Sequence, residues 1–138
     1  MTYPELPPDI ANHPITRAFE TCSDKPMTLG ELLREVTILH ADRQALAFKG
    51  DSISYGELWQ RAAQVAKALI GAGYGKGSRV GVLMSARPEF IASAYGVALA
   101  GGVLVLLHSV AVAKERDYML LHSDCAVLLM QTGLHRQD

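Results

Sequence analysis

The sequence is short of several things that would define a function class at once. It has only two cysteines, Cys22 and Cys125, too far apart in sequence for a disulfide framework or a Cys-x-x-Cys metal or redox motif. A reducing compartment, the cytoplasm, is the simplest expectation. It lacks charge of one sign: 13 basic and 14 acidic residues leave a net charge of −1, so no basic surface argues for nucleic acid. It has one tryptophan and only 7% aromatic residues. It also lacks a targeting signal. Met1–Met27 holds five of the six prolines and scattered charges, with no uninterrupted apolar stretch for a secretory signal. What is present suits one globular unit. With 138 residues, 49% of them hydrophobic, and a mean hydropathy of +0.14, the chain is too apolar to stay disordered. Residues 1–27 read as an irregular Pro-rich lead segment, and residues 28–138 as the folded part.

The folded part has a readable order. Thr28-Leu29-Gly30-Glu31 has the form of a capping box, and Leu29, Leu32, Leu33, Val36 and Leu39 follow at helical spacing, predicting a helix over Leu29–His40. Ala45–Phe48 and Ile53–Tyr55 read as a hairpin around Lys49-Gly50-Asp51-Ser52. Ser54-Tyr55-Gly56-Glu57 is a second capping box, and it opens a helix with the stripe Leu58, Ala62, Val65, Ala66, Leu69 and Ile70. Gly71 and Gly73 end that helix. Arg79–Met84, Val103–Leu107 and Cys125–Met130 are apolar runs suited to buried strands. Helices from Pro88 to about Ala100 and over Lys114–His122 separate them. Strand, helix, strand, helix, strand is the βαβ order of a parallel sheet covered by helices, so the fold class is α/β with a preceding hairpin.

Candidate chemistry is sparse. Gly71-Ala72-Gly73-Tyr74-Gly75-Lys76-Gly77-Ser78 is rich enough in glycine to suggest a phosphate loop, but the Walker and dinucleotide spacings both fail. It also follows a helix, whereas a phosphate loop opens one. A helix cap and turn account for it. The five histidines show no metal spacing. His108 stands just past a strand end, where open α/β sheets place ligands, and the alternative is a solvent-facing histidine. Cys125 reads as a small buried hydrophobe. Ser85 and Ser109 also stand at strand ends, without the Gly-x-Ser-x-Gly elbow. Trp59 and Tyr55 read as packing residues. Phe90–Ala113 carries no Asp, Glu, Lys or Arg and is longer than the about 20 residues a membrane helix needs. Gly101-Gly102 in its middle and the β-branched residues after it fit a buried helix, turn and strand instead.

Taken in order, five segments resemble the start of the AMP-forming adenylating enzymes, which include acyl-CoA synthetases, luciferases and the adenylation domains of peptide synthetases. They are Ile53-Ser54-Tyr55-Gly56-Glu57-Leu58, Leu69–Val82, Pro88-Glu89-Phe90, Ala98–Val105, and the pair Asp117–Leu120 and Ser123–Ala126. Pro88-Glu89-Phe90 and the aliphatic Val103–Leu107 are closest to the acyl-CoA synthetase branch. The second motif of the family usually continues into Pro-Leu, and Leu106 stands at that proline position. The resemblance implies a two-step reaction: a carboxylate, fatty acids among the candidates, attacks the α-phosphate of ATP, and the acyl group then passes to coenzyme A. ATP, magnesium and coenzyme A belong to the full-length family. The Ser/Thr/Gly-rich loop ending in Pro-Lys that holds the phosphates has no counterpart here, nor do the later motifs. No catalytic, cofactor-binding or metal residue is therefore carried over, and none of these ligands is expected to bind well. The resemblance makes residues 28–138 a partial, incomplete adenylation-domain subdomain, inactive alone, with Leu106–Val110 at most near a binding wall. Two alternatives are a stand-alone α/β binding or interaction module and a single-pass membrane protein through residues 90–113.

Overall fold

The computed structural model describes residues 28–133. Helix α1 covers Leu29–His40, as its pattern predicts. Its capping box is complete: the Glu31 amide donates to Thr28 Oγ1 at 3.2 Å and the Thr28 amide to Glu31 Oε2 at 2.7 Å. The buried stripe is narrower than the spacing suggests. Gly30 and Leu33 are buried, whereas Leu29 and Leu39 are exposed, because α1 meets the body of the fold along one line only. At Gly30 an added Cβ would lie 3.0 Å from Leu99 Cδ2, so the small residue sets how closely α1 approaches.

Strands β1 (Gln44–Phe48) and β2 (Asp51–Ser54) form the antiparallel hairpin. Its turn is tighter than expected. Phe48 pairs with Asp51, leaving only Lys49 and Gly50 in the loop, both at positive φ (51° and 92°). A two-residue loop of this kind matches the right-handed twist of the strands it joins. Tyr55, expected at the end of the second strand, is instead the first residue of helix α2 (Tyr55–Gly71). Ser54 caps α2 as Thr28 caps α1, accepting from the Glu57 amide at 3.2 Å. Leu58, Ala62, Ala66 and Leu69 are buried; Ile70, expected in the stripe, is exposed. The exit is a Schellman turn. Gly73 takes φ 87°, its amide donates to the Ile70 carbonyl, and the Tyr74 amide donates to Leu69 at 2.8 Å.

Strand β3 (Arg79–Leu83) is central, with β4 (Val103–Leu106) and β5 (Val127–Met130) parallel to it on either side, in the order β4-β3-β5. Helix α3 (Pro88–Leu99) connects β3 to β4, and helix α4 (Ala113–His122) connects β4 to β5. Register puts Val80, Leu104, Val127 and Leu129 on one face, where they pack with Val97 of α3 and with Ala66 and Leu69 of α2. A second cluster joins Leu33 of α1, Ile53 of β2, Leu58 and Ala62 of α2, and Ala92 of α3. Leu99 touches both clusters and so ties hairpin, helices and sheet into one core. The right-handed return from β4 across β3 to β5 carries α4 over the opposite face.

The charge-free run 90–113 divides into α3, the Gly101-Gly102 turn, β4 and a loop. Gly101 at φ 75° ends α3, and the Gly102 amide donates to Val97 at 2.9 Å in a second Schellman turn. Among the described residues no helix is long and apolar enough to cross a membrane, which replaces the single-pass alternative. The lead segment 1–27 lies outside the described residues.

Candidate functional site

In a parallel sheet all strands end on the same side, and loops leaving those ends can converge on a ligand. Here β3 runs out into Met84-Ser85-Ala86, β4 into Leu107-His108-Ser109, and β5 into Gln131. Parallel pairing extends past the strands: the Leu107 amide donates to Val82 at 3.0 Å and the Gln131 amide to Leu83 at 3.3 Å. The Gln131 side chain crosses to the neighbouring strand. Its Oε1 accepts from the Ser85 amide at 2.9 Å and from Ser85 Oγ at 2.8 Å, clamping the ends of β3 and β5 together.

Two grooves open at this end. One, about 480 Å³, lies among Met84, Phe90, Leu106, Leu107, His108 and Met119. The other, about 590 Å³, continues past His108 and Met119 along Val110, Lys114 and Tyr118. Because they share His108 and Met119, they form one mostly apolar trench with His108 midway. Glu115 borders the trench, but the Val112 amide donates to its Oε2 at 3.3 Å, so the carboxylate serves the start of α4. His108, Ser109, Lys114 and Tyr118 supply the other polar atoms along the trench. Such a trench can hold an apolar body and steer an anionic head by charge.

Each residue singled out from sequence has a definite place. His108 and Ser109 stand at the β4 exit, with His108 exposed and Ser109 half-buried. Ser85 spends its hydroxyl on Gln131 and faces no base. Cys125 precedes β5, which begins at Val127 rather than at the cysteine. It is half-buried, with Sγ 3.2 Å from Ser123 Oγ and beside Gly81, in keeping with packing. Tyr55 and Trp59 pack against the hairpin cluster. Met84, Phe90 and Met119 were not legible as trench residues, nor Gln131 as the clamp on Ser85. Their only sequence signal is a position at the end of an apolar run or within a helix; the β3–β5 register brings Gln131 to Ser85, and the packing of α3 and α4 at the strand ends brings the other three together.

A third cleft, about 530 Å³, lies where the hairpin meets α3, among Asp51, Ser52, Arg61, Arg87 and Glu89. Arg87 Nε donates to Glu89 Oε2 at 2.7 Å, and this bond holds the Glu89 carboxyl below its ordinary pKa. Opposite charges face one another there, so the cleft has no single sign.

The glycine-rich segment does not fit nucleotide phosphates. It lies at the C-terminal end of α2 and the start of β3, the opposite end of the sheet from the trench, where the helix dipole is negative. Most of its amides are also taken: Ala72 donates to Ala68, Gly73 to Ile70, Tyr74 to Leu69, Gly77 to Gly101 and Ser78 to Gly75. Among the described residues no three His, Cys, Asp or Glu side chains come together to hold a metal ion.

Comparison with known proteins agrees with this arrangement. Residues 33–138 match the family model described as AMP-binding enzyme. The acyl-CoA ligase sidI of Aspergillus fumigatus is 31% identical over 114 residues, which are 81% of this chain and 19% of the ligase. Surfactin synthase subunit 2 of Bacillus subtilis is 33% identical over 122 residues, 88% of this chain and 3% of that protein. Among solved structures, the N-terminal domain of FACL13 from Mycobacterium tuberculosis superposes with a TM-score of 0.72 at 27% identity, covering 76% of this chain and 27% of that one. The chain thus spans about a fifth of the ligase it resembles. With most of its length matched by the family model and its elements in the same arrangement, the chain belongs to the AMP-binding enzyme family.

Proposed function

We propose that this chain is the first part of an AMP-forming acyl-CoA synthetase and is inactive by itself. In the parent reaction a carboxylate oxygen attacks the α-phosphorus of ATP and pyrophosphate leaves. The sulfur of a thiol then attacks the acyl carbon and AMP leaves. Such chemistry depends on positioned cationic and hydrogen-bonding groups around the phosphates. The single observation that carries the reading is the family match over residues 33–138, beside a relative named as an acyl-CoA ligase.

The described residues support a scaffold role. Their glycine-rich segment is committed to backbone bonds at the wrong end of the sheet, and they offer no phosphate cradle. What they contribute is the apolar trench at the strand ends, where Met84, Phe90, Leu106 and Met119 suit hydrocarbon better than phosphate.

ATP–pyrophosphate exchange on the purified chain, with a panel of aliphatic and aromatic acids, tests this. No acid-dependent exchange is expected, and clear exchange above a no-acid control would overturn the claim of inactivity. Relatives of the peptide-synthetase kind make transfer to a carrier-bound thiol the second reading. Pro88-Glu89-Phe90 and the aliphatic run Val103–Leu107 favour coenzyme A.

A further inference from the structure

The one polar side chain buried among the described residues is Ser93, in the second turn of α3 and 4% exposed. A buried hydroxyl needs a partner, and a helical serine ordinarily finds it in a carbonyl one turn back. Ser93 turns instead to Met84, donating to its Sδ at 3.9 Å across the loop between β3 and α3. A thioether sulfur is a weak acceptor, so this donor is poorly used in a place where burial makes that costly. Met84 itself is within reach of solvent. It is half-buried and lines the groove of about 480 Å³ with Phe90, Leu106 and Met119. Met84 thus connects an open groove to a buried donor.

We propose that Met84 is a modification site for hydroperoxides, and that Ser93 is the hydroxyl that holds the oxidised product. In the step, the sulfur lone pair attacks the terminal oxygen of the hydroperoxide and the O–O bond breaks. The sulfur is oxidised by two electrons to the sulfoxide and the peroxide is reduced. The proton of the transferred oxygen passes to the departing one, which leaves as water, or as an alcohol from an alkyl hydroperoxide. A sulfoxide oxygen is a far better acceptor than a thioether sulfur, so the bond that Ser93 makes poorly before oxidation it makes well afterwards. A sulfoxide buried without a donor is an unpaired dipole; at Met84 the donor is already in place. The change also puts a polar group on a wall otherwise formed by Phe90 and Leu106. Met119 lines the same groove and Met130 is 56% exposed, so both are open to peroxide, but the buried hydroxyl belongs to Met84. The inference rests on the fold alone and does not depend on the reaction of the family.

The test is a cycle on the purified 138-residue chain carrying Met119→Leu and Met130→Leu, which leaves Met84 as the one methionine among the described residues. This chain and its Ser93→Ala variant are melted before and after hydrogen peroxide, and peptide mass spectrometry locates the added oxygen. Dithiothreitol after the peroxide restores cysteine sulfenate and disulfide and leaves sulfoxide in place. Oxygen is expected on Met84 of the folded chain. Ser93→Ala should lower the melting temperature about twice as much after oxidation as before. Met84→Gln, which supplies a carbonyl acceptor without any peroxide, should show the same enlarged dependence on Ser93. Met84→Leu should melt alike with and without peroxide. A Met84 that stays unoxidised in the folded chain overturns the proposal, as does a Ser93→Ala shift of equal size before and after. Unfolding of the oxidised chain with Ser93 in place overturns it too, because the hydroxyl then fails to hold the product. So does a peroxide shift that persists in Met84→Leu, which would move the effect to another residue.

Discussion

At the residue scale, the closest approach between elements is set by Gly96. A Cβ there would lie 2.6 Å from Val65 Cβ and Cγ1 and 2.9 Å from the Ala62 carbonyl, so α3 touches α2 through its backbone. Neither neighbour is the free end of a flexible side chain, so an added methyl must push the helices apart. Gly96→Ala should destabilise the fold by about 1–3 kcal/mol, read as a lower urea midpoint. Gly71 is the control: nothing lies within 4 Å of its would-be Cβ, and it sits in the last turn of α2. Gly71→Ala should leave stability unchanged or raise it by about 0.5–1 kcal/mol. The acidic caps give a pH signature at the same scale. The bonds from the Thr28 amide and hydroxyl hold the Glu31 carboxyl below its ordinary pKa. A lowered folded-state pKa means that the folded chain binds the proton less readily than the unfolded one. Its stabilisation is complete above the unfolded value of about 4.3 and fades as pH falls through the lower folded value. The melting difference between the unaltered chain and Glu31→Ala should therefore be present at neutral pH and shrink below about pH 4. A difference that grows on acidification would contradict this assignment.

At the element scale, the three helices that pack on the core differ from the one that does not. Leu33 of α1, Leu58 and Ala62 of α2, and Ala92 and Val97 of α3 are each no more than 3% exposed, so these helices are locked by burial. Helix α4 relies on its N-terminal backbone bonds and on the Arg79–Asp124 ion pair at 2.9 Å beyond its C-terminus. That pair is half-exposed or more at both ends, which makes it a weak tie. Amide hydrogen exchange in the isolated chain should run faster in α4 than in α2 or α3, on the order of tenfold or more. Equal protection across the three would mean that α4 is packed as well as the others. The reading of the elements from sequence succeeded where local chemistry decides. Both capping boxes, the Pro88 start and the two glycine exits act through neighbours within about four residues. It went astray at Tyr55, because strand and helix propensities overlap at a cap and only pairing of Phe48 with Asp51 shows how short the loop is. Ile70 and Leu39 fit the helical period yet stay exposed, since periodicity marks a face but not how much of it a neighbour covers.

At the scale of the whole molecule, the parallel sheet has three strands among the described residues, and both outer strands carry exposed apolar side chains at Val103, Leu106 and Met130. An unpaired hydrophobic edge invites association, so the isolated chain has surface to spare for a partner. The expected lack of acid-dependent ATP–pyrophosphate exchange belongs to this scale as well. No single substitution explains it: the described residues place an apolar trench at the strand ends and spend their glycine-loop amides at the other end.

Sequence alone was enough to determine the α/β class, the order of elements, the helix starts and stops, and membership of a family recognisable from five ordered segments. These are local or linear properties, written in periodicity, caps and motif order. Tertiary structure alone decided that Ser85 is clamped by Gln131, that His108 lies midway along an apolar trench, and that Tyr118 and Leu121 of α4 stay exposed. Each depends on residues tens of positions apart being brought to one end or one face of the sheet. That depends on strand register and crossover handedness, which no window of sequence contains.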